Sequence, residues 1–114
     1  MLVTKVNLAR ELLEQNAPIG RILSYREFAA ALGISKAPVI AACTKILETI
    51  MRQDADAQQP MLAALVVQQG LPRIPRQGFF QQLSQLNLYH GQSSGTSAEQ
   101  WHLKEIEKLK EYYR

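Results

Sequence analysis

The sequence predicts one mainly α-helical domain with a small β component. The chain has 114 residues, of which 46% are hydrophobic and 20% charged, an ordinary composition for a single globular domain with its own core. Apolar residues recur at helical spacing in most segments. One uninterrupted apolar run, Met61–Val67, is instead typical of a buried strand. We therefore expect a single domain over residues 1–114.

The first element expected is an amphipathic helix. Apolar side chains from Thr4 to Gln15 recur every three or four residues and form one stripe. This predicts a helix over about residues 4–16 that ends before Pro18, because proline cannot continue a helix interior. The next segment, Ile19–Leu23, predicts a turn followed by a short extended piece.

The second and third helices are expected from their end signals. Ser24 and Glu27 have the spacing of a capping box, which begins a helix. Gly33 is expected to end that helix, because glycine adopts the left-handed conformation at little cost. Ser35 is then expected to cap a third helix, with Pro38 in its first turn.

The middle of the chain predicts irregular structure around one strand. The polar run Arg52–Gln59 predicts a loop, and Met61–Val67 predicts a buried strand. Two prolines and two glycines keep Gly70–Gly78 out of regular structure, so its arginines are expected to project into solvent.

Two further helices are expected in the C-terminal part. The apolar residues of Phe79–Leu86 predict a short helix that closes the core, and Tyr89–Thr96 is rich in Gly and Ser and predicts a loop. Ser97 and Gln100 have the spacing of a second capping box, which predicts a terminal amphipathic helix over about residues 97–113.

The segment from Ser24 to Ile50 fits the template of a helix-turn-helix. Ala29 provides a small residue at the helix crossing, and Gly33 lies four positions later in the turn. The remaining template positions carry apolar side chains, namely Phe28, Leu32, Ile34, Val39, Ala42 and Ile46. This pattern favours a helix-turn-helix over two adjacent core helices.

The template also assigns the outward face of the third helix. The residues expected to face a partner are Lys36, Ala37, Ile40, Ala41, Thr44 and Lys45. Direct reading of bases depends on Arg, Lys, Asn and Gln side chains, which this face carries sparsely. We therefore expect weak base specificity, with lysines that contact phosphate.

The charge distribution favours a nucleic-acid partner more than the total does. Thirteen basic and ten acidic residues give a net charge of +3. No acidic residue occurs between Ala57 and Ala98, where Arg73 and Arg76 are the only charged residues, whereas the terminal segment from Glu99 is balanced. The positive surplus thus belongs to the first part of the chain and its acid-free middle.

The segment Ile19–Ala29 followed by Leu32-Gly33 resembles the winged helix-turn-helix domain of O6-alkylguanine-DNA alkyltransferases and alkyltransferase-like proteins. Leu65–Val67 and the loop Gly70–Gly78 are similar to the strand and wing of that family. The resemblance covers roughly Pro18–Phe80. It implies a fold that is mainly α with a small β wing, a winged helix-turn-helix (core 18–80) flanked by added N- and C-terminal helices.

The same resemblance implies a DNA partner and a role for particular residues. Tyr25 matches the tyrosine that lies against the phosphate of the target nucleotide, and the helix from Lys36 would lie in the minor groove. The family's Pro-Cys-His-Arg or Pro-Trp-His-Arg motif falls at about Leu62–Leu65, and its base-replacing arginine at about Val39. The missing nucleophile and histidine exclude alkyl transfer.

The sequence predicts neither an enzyme nor a cofactor or metal site. We find no paired carboxylates, no Ser-His or Cys-His arrangement for nucleophilic catalysis, and no phosphate-binding loop. Cys43 is the sole cysteine and is expected to be a small core residue, while His90 and His102 are expected at the surface. The N-terminal segment has neither a signal peptide nor a membrane span, so we expect a cytoplasmic protein without a membrane partner.

The leading hypothesis is a small non-enzymatic protein that binds double-stranded DNA with low sequence specificity, in a regulatory or DNA-transaction role. The expected binding residues are Tyr25, Arg26, Lys36, Ala37, Ile40, Thr44, Lys45, Arg73 and Arg76. The alternative is a protein-interaction or adaptor module that presents the apolar face of the third helix. A homodimer through the aromatic terminal helix also stays open.

Overall fold

Helices account for most of the chain in the computed structural model, which describes residues 2–114, Leu2 by its backbone alone. The helices are α1 (Leu2–Asn16), α2 (Tyr25–Ala31), α3 (Val39–Asp56), α4 (Gln77–Gln85) and α5 (Thr96–Tyr113), and the strands are β1 (Leu23–Ser24) and β2 (Val66–Val67). The strands pair in parallel, Leu23 opposite Val66 and Ser24 opposite Val67. The mainly helical fold with a small β component is confirmed at this level.

One hydrophobic cluster draws residues from all five helices. The apolar segment Met61–Val67 is completely buried, with α1, α3 and α5 packed around its first part. From α1, the buried stripe consists of Val6, Ala9 and Leu13, as its periodicity predicts. The short sheet then connects this buried segment to the beginning of α2.

The prediction of a strand over Met61–Val67 is wrong for most of its length. Leu62–Leu65 forms a 3₁₀ turn, and only Val66 and Val67 are in a strand. The backbone of this segment is paired with side chains of α3 and α5 instead of a neighbouring strand. Burial was therefore predicted correctly from the apolar run, and the conformation was not.

The prediction of a loop over Arg52–Gln59 is wrong for its first half, because α3 continues to Asp56. Asp54 is fully buried within this polar run. Its carboxylate accepts hydrogen bonds from Arg10 Nη2 at 2.9 Å and from the Leu62 N–H at 3.1 Å. These long-range contacts compensate for the burial of the Asp54 charge. The residues next to Asp54 in sequence give no indication of that burial.

The signals at the ends of α2 are confirmed. The Ser24 hydroxyl accepts from the Glu27 N–H at 3.0 Å, and the Glu27 carboxylate accepts from the Ser24 N–H at 2.8 Å, which completes the capping box. At the other end, Gly33 adopts φ 72°. The N–H groups of Gly33 and Ile34 donate to the Ala30 and Ala29 carbonyls in a Schellman motif.

Two other predicted caps are wrong. The N-cap of α3 is Pro38, not Ser35, and no side chain caps it. Pro38 disfavours the helical conformation at Ala37, so a helix capped by Ser35 is unfavourable. Pro38 itself is extended, with ψ 109°, and α3 begins at Val39. Ser97 is inside α5, whose N-cap is Gly95, and its hydroxyl is hydrogen-bonded to the Tyr89 hydroxyl at 3.0 Å.

The late start of α3 changes the geometry of the expected helix-turn-helix. Residues 32–38 separate α2 from α3, whereas a helix-turn-helix turn has about three or four residues. The inward face of α3 is formed by Cys43, Ile46, Leu47 and Ile50, with Val39 and Ala42 only half-buried. The winged helix-turn-helix thus stays a prediction.

The expectation that His102 lies at the surface is wrong. Its ring is 6% exposed, and its Nε2–H donates to the Ala64 carbonyl at 2.8 Å. His90 is exposed as expected. Within residues 2–114, none of the helices has the length and apolar character needed to cross a membrane.

Candidate nucleic-acid interface

A groove of about 530 Å³ lies between α2, the beginning of α3 and the loop 68–76. Among its lining residues are four that the sequence predicts as binding residues: Tyr25, Arg26, Ile40 and Arg76. The fold thereby brings together side chains that are up to 51 positions apart in the chain.

Tyr25 lies at the inner wall of this groove as the first residue of α2. Its side chain is buried, and the Arg76 guanidinium carbon lies 5.6 Å from the centroid of its ring. Burial raises the pKa of Tyr25, although the backbone N–H and the guanidinium of Arg76 act in the opposite direction. The tyrosine is therefore a neutral phenol that supports Arg76 by a cation–π contact.

The loop 68–76 is closed by its own hydrogen bonds. The Gln68 N–H donates to the Ile74 carbonyl at 2.9 Å, and Gln68 Nε2 donates to the Pro72 carbonyl at 2.7 Å. Arg73 Nε donates back to the Gln68 carbonyl at 3.0 Å. The expectation that Arg73 simply projects into solvent is thus wrong, because this half-buried side chain helps to close the loop.

The electrostatic character of the groove is basic. Arg26 and Arg76 are exposed, and no acidic side chain of the described residues lines the groove. Glu27, the nearest acidic residue in sequence, is held in the capping box. The Ser24 N–H lowers the pKa of Glu27, and the nearby Arg73 and Arg21 lower it further. The groove therefore presents guanidinium groups without an acidic side chain in its own lining, and Glu48 is an acidic residue that lines an adjoining cavity shared with Tyr25 and Arg76.

The other predicted binding residues do not line the groove. Thr44 lines a small adjoining cavity of about 50 Å³ together with Tyr25 and Arg76. Lys36 and Ala37 are exposed in the bend before α3, and Lys45 is exposed on α3. Two exposed lysines thus belong to segments that contribute groove residues, Lys36 directly after Ser35 and Lys45 on the same helix as Ile40, and we call this pair the basic rim.

Comparison with known proteins gives no relative for this fold. No protein-family model, no curated protein and no solved structure matches the chain. The likeness to alkyltransferases in residues 18–80 therefore stays a prediction from sequence, and the groove has to be interpreted from its own chemistry.

The groove is also lined by residues that were not predicted from the sequence as binding residues. Gln68 and Gln69 follow β2, and Ile34 and Ser35 follow α2. The two glutamines follow a buried apolar run directly and precede Gly70, and this position in the sequence indicates polar side chains at the end of a buried segment. Gln69 is exposed and can supply amide donors and acceptors to a ligand in the groove, whereas the half-buried Gln68 uses its side-chain amide within the loop.

The described residues offer no alternative centre for metal chemistry. They include no group of three or more His, Cys, Asp or Glu side chains arranged to hold a metal ion. Cys43 is buried, and burial raises the pKa of its thiol, which disfavours the nucleophilic thiolate. Cys43 is therefore a buried core residue, as the sequence predicts.

Proposed function

We propose that this chain is a non-enzymatic protein that binds double-stranded DNA with low sequence specificity. One observation carries the proposal: Arg26 and Arg76 flank a groove that no acidic side chain lines among residues 2–114. Arginine contacts to phosphate provide affinity and orientation on a duplex without reading its sequence.

The low specificity follows from the side chains just before and at the start of α3. Ala37, Ile40 and Ala41 are exposed but lack hydrogen-bonding groups, and Thr44 is half-buried. Discrimination between base pairs depends on bidentate hydrogen bonds from longer polar side chains. In this proposal α2, α3 and the loop 68–76 act in the manner of a winged helix-turn-helix, with the loop in the place of the wing and a regulatory or DNA-transaction role.

The first prediction is a steep salt dependence of duplex binding. Four phosphate contacts, from Arg26, Arg76, Lys36 and Lys45, correspond to a slope of log K against log salt of about −3.6. Affinity for a labelled duplex should then fall on the order of 100-fold between 50 and 200 mM salt. Fluorescence anisotropy titrations at several salt concentrations measure this slope.

The double variant Arg26→Ala/Arg76→Ala tests the groove itself. It should weaken binding at least about tenfold, because one hydrogen bond to a charged group contributes about 1.5 kcal/mol, and it should reduce the slope by about 1 per side chain. Lys104→Ala/Arg114→Ala, at exposed positions in α5 and directly after it, is the control with the same charge change. Equal losses in both double variants would show that only net charge matters and would refute the assignment of this groove.

A protein partner is the second candidate, and one observation favours it. Ile40 is 40% exposed at the edge of the groove, with the exposed Ala37 and Ala41 close to it in the chain. Such a small apolar face suits a partner helix or loop. If the parent protein fails to bind duplex at 50 mM salt, DNA binding is overturned and this second candidate takes its place.

A further inference from the structure

Leu71 lies at the tip of the loop 68–76 and is 88% exposed, more than any other large apolar side chain among the described residues. Its neighbours Gly70 and Pro72 are exposed as well. A single exposed leucine is common in proteins. Leu71 differs from such a residue in two respects: hydrogen bonds fix the loop that carries it, and the same loop carries Arg73 and Arg76.

The tip of the loop is held on a fixed base. Gln68 bonds both the Ile74 carbonyl, through its N–H, and the Pro72 carbonyl, through its side chain. Ile74 is in turn buried in the core with 6% of its surface exposed. A leucine that is presented on such a loop loses little further chain entropy when it enters a partner.

The same loop contributes to the basic groove. Gln69 and Arg76 line the groove on either side of the tip in sequence, and Arg73 lies between the tip and Arg76. If Arg26 and Arg76 hold phosphates as proposed, the duplex lies next to the loop 68–76, which carries the exposed Leu71 at its tip. Proteins that kink DNA use such apolar side chains as wedges between base steps, entered from the minor groove.

We propose that Leu71 is a wedge that inserts between two adjacent base pairs from the minor groove and bends the duplex. This proposal rests on the proposed DNA binding and adds the form of DNA that is bound, a locally unstacked and kinked duplex. Flexible pyrimidine–purine steps such as TA are the preferred point of insertion, because they unstack most easily.

The test uses the full chain and a duplex of about 20 base pairs, of a length that one small domain can bend. The duplex carries a central TA step with 2-aminopurine and a donor–acceptor dye pair at its ends. Binding of the parent should raise both 2-aminopurine fluorescence, through unstacking, and energy transfer, through bending. Leu71→Ala should remove both signals and weaken binding about three- to tenfold while leaving the salt slope unchanged, because no charge is lost.

Leu103→Ala is the matched control, since Leu103 on α5 is 67% exposed, and it should leave both signals at the parent level. Binding by the parent without unstacking or bending overturns the wedge and leaves the DNA-binding proposal intact. Unchanged signals in Leu71→Ala also overturn the wedge. An absence of duplex binding by the parent overturns both proposals.

Discussion

Three buried polar side chains hold the backbone of the apolar segment that begins at Met61. The carboxylates of Glu105 and Asp54 accept from the Met61 and Leu62 N–H groups at 2.7 and 3.1 Å, and His102 donates to the Ala64 carbonyl at 2.8 Å. Burial raises the pKa of both carboxyl groups and lowers that of the imidazole. All three hydrogen bonds offset the cost of burying a backbone that has no strand partner there.

Asp54 should be the most sensitive of the three to truncation. The Asp54 side chain is 0% exposed. Asp54→Ala leaves the Leu62 N–H unpaired and removes the carboxylate with which Arg10 pairs. We expect a loss of about 2–4 kcal/mol in the free energy of unfolding, slightly below the range for breaking a fully buried pair because Arg10 is partly exposed. Urea denaturation measures the change.

Asp56→Ala is the control, because Asp56 is an exposed aspartate at the end of the same helix. It should change the free energy of unfolding by less than about 0.5 kcal/mol. Similar losses in the two variants would mean that the Arg10–Asp54–Leu62 contacts do not stabilise the fold.

At the scale of elements, α2 is defined by local interactions at both ends. The capping box at Ser24 and the Schellman motif at Gly33 involve residues within five positions of one another. Such contacts are encoded in the order of residues and need no tertiary partner. This explains why both ends of α2 could be predicted from sequence.

Gly33→Ala tests the C-terminal end of α2. Gly33 has φ +72°, and a Cβ there would meet only Lys5 Nζ, at 3.6 Å. The cost is therefore backbone strain without a steric clash, and we expect a loss of about 1–2 kcal/mol in the free energy of unfolding. Gly70→Ala is the control, because a Cβ at Gly70 has open space, and it should be close to neutral in thermal or urea unfolding. Equal effects would contradict a left-handed helix end at Gly33.

Elements that depend on distant partners were not predictable in the same way. The last turns of α3 carry Asp54, whose burial depends on Arg10 from α1, and the 3₁₀ turn at Leu62–Leu65 depends on side chains of α3 and α5. The buried face of α3 continues through Ile50, Met51 and Asp54, but an aspartate does not read as part of an apolar stripe in the sequence. In the groove, Arg26 and Arg76 could be proposed from charge, but the contact of Arg76 with Tyr25 follows only from tertiary packing.

At the scale of the whole molecule, the added helices are part of the core rather than appendages. Val6 and Leu13 of α1 and Leu109 of α5 are buried in the same cluster as α2 and α3, and α5 supplies Glu105 and His102 to the central segment. The region 18–80, which the sequence resemblance outlines as a winged helix-turn-helix, thus lacks part of its own interior when taken alone.

A fragment of residues 18–80 should therefore fail to fold. Three fully buried Val and Leu side chains contribute roughly 5–9 kcal/mol, which is comparable to the whole stability of a small domain, about 5–15 kcal/mol. Loss of α5 also leaves the Met61 N–H and the Ala64 carbonyl unpaired. Far-UV circular dichroism of the fragment should show little helix and no cooperative thermal transition, whereas the full chain shows both. A chain that ends at Glu111 keeps Leu109 and should retain the transition. Cooperative unfolding of the 18–80 fragment would show that the groove and its basic rim form an autonomous module.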